Sequence, residues 1–129
     1  MNTQRLILVL WACGPDRPGG ATLAAAPFVY ALAARAMEIE VEMHFTSSAV
    51  RWLLEGVAND AYTDAARSKT VANFIAEVNA AGVQLVPCAM ALVEHRRPGE
   101  ALRAEVSGQG GAATVIGATF APGTRTMVF

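Results

Sequence analysis

At 129 residues the chain has the length of one domain, 1–129, and with 53 % hydrophobic and 16 % charged residues it is too apolar to stay disordered. A net charge of −1 and the absence of any basic stripe exclude nucleic acid as an expected partner. Two cysteines, Cys13 and Cys88, are too few for a disulfide framework and form no C-x-x-C pair, so they read as free thiols of a cytoplasmic protein.

In chain order, Leu6 to Trp11 is a continuous apolar run, the pattern of a strand buried on both faces. With Arg5 before it and Cys13 after it, this run imitates a short lipoprotein-type leader. Its apolar part is at the lower limit for one, and cleavage would remove the central strand, so the reading is rejected. Gly14 to Gly20 is a loop by its breakers, and the prolines and glycines between Arg17 and Arg35 disqualify that uncharged stretch as a membrane span. Thr22 to Met37 is Ala-rich and helical, with Pro27 favouring a start near Ala26.

Glu38 to Phe45 alternates at period two, which predicts a strand with one wet face at the edge of a sheet. Thr46 or Ser47 caps a helix over Ala49 to Glu55, and Gly56 to Ser68 is irregular. Lys69 to Ala81 is a helix buried through Val71, Phe74, Ile75 and Val78 and stopped by Gly82. Val83 to Pro87 is a second buried strand, and Ala89 to His95 a short helix. A brief strand at Glu105 to Ser107, a helix from Ala112 to Phe120 and a strand over Thr126 to Phe129 complete the chain. Strands alternating with helices imply an α/β three-layer sandwich with a mostly parallel sheet. Placing the wet-faced second strand at an edge gives the flavodoxin-like order 2-1-3-4-5, with Cys13 and Cys88 on neighbouring strands at the switch point.

Cys88 is the residue most suggestive of chemistry. At a strand-to-helix turn its sulfur faces the unpaired N–H groups of the first helical turn, those of Ala89 and Met90, which favour the thiolate. The bland alternative is a packed, inert cysteine. Cys13 reads first as a small packing residue and second as an auxiliary thiol. His44, among Glu40 and Glu42, reads first as a solvated edge or subunit-contact residue and second as catalytic, and Trp52 reads as exposed. His95 and Arg96 follow the Cys88 helix as ordinary partners of its dipole or as an anchor for an anionic or protein partner.

The stretch Gly108 to Ala113 fits G-x-G-x-x-A, but too little chain follows for a dinucleotide unit. Gly14 to Gly20 is a weak phosphate loop, because two prolines remove donors and no Lys-Ser/Thr pair follows. Two Cys and two His at scattered positions make no local metal set, and no cofactor is implied.

Three ordered stretches resemble the DsrE/DsrF-like family of small sulfur-relay proteins. The first runs from Ala31-Leu32-Ala33-Ala34-Arg35-Ala36 into Val41-Glu42-Met43-His44-Phe45-Thr46, similar to the family's Ala-rich helix and following strand. The second is Gly82-Val83-Gln84-Leu85-Val86-Pro87-Cys88-Ala89-Met90, similar to its "G-V-x-x-x-x-C-x-M" segment. The third, Gly111-Ala112-Ala113-Thr114, resembles the opening of its last helix. Departures are Glu38 in place of a helix-ending Gly, His44 in place of Phe, Ala49 in place of Gly, and Pro87 before the cysteine.

The resemblance implies a flavodoxin-like fold, homotrimers or homohexamers, and a Cys88 that accepts sulfane sulfur as a persulfide and passes it from a donor protein to an acceptor protein. Two other readings stay open beside it: a non-catalytic module binding a small anion or nucleotide, and an adaptor subunit in which the cysteine only packs.

Overall fold

The computed structural model describes residues 4–129. Four strands, β1 (Arg5–Leu10), β2 (Glu40–Phe45), β3 (Gln84–Pro87) and β4 (Thr124–Val128), pair in parallel in the order β3-β2-β1-β4. Helices α1 (Gly20–Ala36), α2 (Val71–Ala80), α3 (Ala89–His95) and α4 (Ala112–Thr119) connect them, with a 3-10 segment over Ser47–Leu53.

This order corrects the expected 2-1-3-4-5. The second strand is internal, and β2 separates β1 from β3, so Cys13 and Cys88 do not follow neighbouring strands. The physical reason lies in the charges that gave β2 its alternation. Arg5 on β1 reaches across to Glu42, with Nη1 3.2 Å from Oε2, and His44 Nε2 lies 3.0 Å from Glu42 Oε1. A charged strand face can sit inside a sheet once neighbouring elements satisfy it.

The expected strand at Glu105 to Ser107 is reduced to isolated bridges, Leu85 with Val106 and Cys88 with Gly110. Ser107 N–H donates to Leu85 O at 2.8 Å and Gly110 N–H to Pro87 O at 2.9 Å, so this stretch lines the open side of β3 without becoming a regular strand.

Register puts Leu8, Leu10, Met43, Phe45 and Leu85 on one face, and all five are buried. Helices α1 and α2 cover that face. Phe28 stacks on Phe74 with ring centroids 5.6 Å apart and tilts against Phe45 at 6.2 Å. Each such aromatic contributes roughly 1.5–3 kcal/mol by leaving water. Pro27 does not delay α1, which begins at Gly20 after Gly19 in the left-handed region (φ 68). The ring is buried beside Phe28, so packing on the sheet offsets the missing N–H.

Helix α2 begins with a full capping box between Thr70 and Asn73. The segment expected as a helix from Ala49 is a 3-10 turn that buries Trp52, expected at the surface, to 1 % exposure. Helix α4 lies on the opposite face of the sheet, joined to β4 by the Thr119 and Thr126 hydroxyls at 2.7 Å.

Candidate functional site

Cys88 caps α3 with extended backbone (φ −71, ψ 123), so it continues the side-chain alternation of β3 by one step. Val86 is the register partner of His44 on β2. Two residues further on, Cys88 falls on the same face of the sheet as Val86 and His44. Its backbone is fixed on both sides. Cys88 N–H donates to Phe45 O at 2.8 Å, and Ala89 N–H donates to Gly110 O at 2.9 Å. The Ala89 donor is therefore spent on Gly110, and, against the sequence expectation, Cys88 Sγ accepts no hydrogen bond from the Ala89 or Met90 N–H of the first turn. The Met90 side chain is 83 % exposed.

The Cys88 thiol is half-buried and free. It opens into a cavity of about 670 Å³ between the carboxyl ends of β2 and β3, the first turns of α3 and the start of α4. The walls are largely apolar, from Val9, Phe45, Ala91, Val115 and Ile116. Its ionisable groups are His44, Glu94 and His95 beside the thiol. Mostly apolar clefts with a few convergent polar groups are the usual form of small-ligand sites.

His44 is the functional candidate that sequence reasoning misplaced. It is 4 % exposed, on an internal strand, and borders the cavity with Cys88. The signal for it was the imidazole standing where the resembling family often has phenylalanine, an apolar position inside the fold. His95 also borders the cavity, and its carbonyl accepts from Arg51 Nη1 at 2.7 Å. Arg96 does not join them: its Nε donates to Glu100 O at 2.7 Å in a separate groove.

Cys13 is apart from this site. It is buried, its carbonyl accepts from Trp52 Nε1 at 2.7 Å, and burial pushes its thiol up to about 11. The Gly14–Gly20 loop spends donors on itself, with Arg17 N–H bonded to Gly14 O and Gly20 N–H to Arg17 O. Gly14 also packs so close to Ser48 that an added Cβ would lie 2.8 Å from the Ser48 carbonyl carbon. Its glycines serve close packing as well as turning.

Among known proteins, the model of the DsrE/DsrF-like family matches residues 14–116, which include His44 and Cys88 and leave out Cys13. The chain also superposes on the crystal structure of the ychN protein from E. coli, with a TM-score of 0.73 and 16 % identity, covering 99 % of this chain and 100 % of that one. At that identity the likeness extends to the fold. No curated protein matches the sequence.

Proposed function

The chain belongs to the DsrE/DsrF-like family, and from that premise we propose that it is a sulfur carrier or sulfurtransferase working through a persulfide on Cys88. The observation that carries this reading is the half-buried free thiol of Cys88 lining a largely apolar cavity. The Cys88 thiolate attacks the outer sulfur of a donor persulfide, an Sγ–S bond forms, the donor's S–S bond breaks, and the donor leaves as a thiolate. An acceptor thiolate then takes the outer sulfur in the same way. Apolar walls protect the loaded sulfur from water and adventitious oxidants. A reducing compartment such as the cytoplasm keeps the thiol available between turnovers.

A homo-oligomer, a trimer or hexamer, belongs to the same proposal, as do donor and acceptor proteins that reach the cavity mouth. Edge strand β4 and helix α4 supply an apolar face for self-association through Ile116, Phe120 and Val128.

Incubation with a low-molecular-weight persulfide followed by mass spectrometry should add one sulfur atom to Cys88, and Cys88→Ser should abolish the addition. Equal loading of wild type and Cys88→Ser would overturn the reading in favour of a binding or adaptor subunit with a structural cysteine.

A further inference from the structure

The geometry points to His44 as the general base of the Cys88 site, held in position by Glu42 and Arg5; this rests on the reading of Cys88 as the sulfur-accepting thiol. The imidazole has two distinct ends. Its Nε2 lies 3.0 Å from the Glu42 carboxylate, which only accepts, so Nε2 carries the hydrogen and Nδ1 carries the lone pair. Glu42 is in turn held 3.2 Å from the Arg5 guanidinium.

The Nδ1 end is turned toward Gly110 and the cavity, where a Cβ built on Gly110 would stand 3.5 Å from it and 3.0 Å from Val86 Cγ1. The absence of a side chain at 110 is what leaves this edge of the ring open. Gly110 bridges Cys88 directly, and Cys88 shares the sheet face of His44 one diagonal step away. The result is a carboxylate–imidazole–thiol set along one sheet face, with the lone pair turned toward the cavity that Cys88 also lines. An acid-base pair needs that arrangement, and a merely structural histidine does not.

The step balances without an external oxidant or reductant. Nδ1 takes the proton of Cys88 Sγ through a bridging water, and the thiolate attacks the outer sulfur of the donor persulfide. The Sγ–S bond forms as the donor S–S bond breaks. After the donor has left as a thiolate, that thiolate takes the proton held on Nδ1, which returns the imidazole to its starting state. Glu42 stabilises the transient imidazolium without itself being protonated. The charged and titratable groups around His44 are Glu42 from its own strand, Arg5 from β1, and Cys88, Glu94 and His95 from the α3 side of the cavity; α4 brings uncharged residues.

The test uses the full chain with Cys13→Ser, which leaves Cys88 as the single thiol, and follows iodoacetamide alkylation and persulfide loading from pH 6 to 10. His44→Ala and His44→Asn are both expected to slow the two reactions tenfold or more at pH 7. The deficit should close above about pH 9, where a free thiol ionises unaided. Glu42→Gln should show a smaller loss of the same pH shape. Free imidazole should restore the His44→Ala rate, because the deleted ring leaves space open to the cavity. A loss constant across pH and indifferent to imidazole, or no loss in either His44 variant, overturns the inference.

Alkylation needs no sulfur donor, which separates the two ideas. A wild-type protein that takes no sulfur yet alkylates in a His44-dependent way sinks the sulfur-transfer reading and keeps the acid-base pair. His44-independent loading on Cys88 does the reverse.

Discussion

Two cysteines in one chain meet opposite fates because of where their sulfur sits. Cys13 is wrapped by the core and its thiol is pushed up to about 11 from 9.0, chiefly by burial. At neutral pH it should alkylate about a hundredfold more slowly than an exposed thiol. Peptide mapping after brief labelling checks this, and equal labelling of Cys13 and Cys88 would contradict it. Because the folded-state value lies above the unfolded one, the contribution of Cys13 to stability is whole below about pH 9 and declines as pH rises through about 11.

Glu100 shows the opposite sign. The Arg51 guanidinium, bidentate at 2.8 Å to both oxygens, holds its carboxyl down to about 2. That tie between the 3-10 segment and the loop after α3 is present above about pH 4.5 and is lost as pH falls through about 2. In acid titrations of stability, Glu100→Gln should flatten this part of the curve; an unchanged slope would show that the pair is inert. The place of Cys88 was legible in the sequence because a strand, a cysteine and a helix follow one another directly. The place of His44 was not, because Glu40 and Glu42 precede it and only the fold reveals that Arg5 pairs with Glu42.

Helix ends follow local chemistry closely enough to predict. Helices α1 and α2 close with the same pair of backbone bonds: Glu38 N–H to Arg35 O and Ile39 N–H to Ala34 O in one, Gly82 N–H to Asn79 O and Val83 N–H to Val78 O in the other. The motif requires a left-handed residue, which is Gly82 at φ 89 in α2 but Glu38 at φ 61 in α1. Glu38→Gly should therefore stabilise the protein by about 0.5–1 kcal/mol, the left-handed penalty less the entropy that glycine loses. Thr70→Ala should destabilise it by about 1 kcal/mol by removing the capping box of α2. Chemical denaturation of both variants checks the pair of signs. Most element positions were readable from periodicity and breakers, α3 and α2 most cleanly. The 3-10 turn was not, because its apolar spacing is also that of a short helix.

Over the molecule as a whole, one sheet face is sealed by α1 and α2, while α4 contributes no buried residue and Phe120 beyond it is 82 % exposed. Sedimentation should find an oligomer, and Phe120→Asp with Val128→Lys should shift it toward monomer while leaving the far-UV spectrum unchanged. A wild-type monomer would refute self-association through this face. Residue order alone determined the α/β class and the strand and helix positions around Cys88, because these depend on contacts within a few residues. Strand order, the burial of His44 and Trp52 and the cavity that joins His44 to Cys88 came from the folded chain. They depend on which distant segments neutralise a charge or cover a face, and sequence spacing carries no record of that.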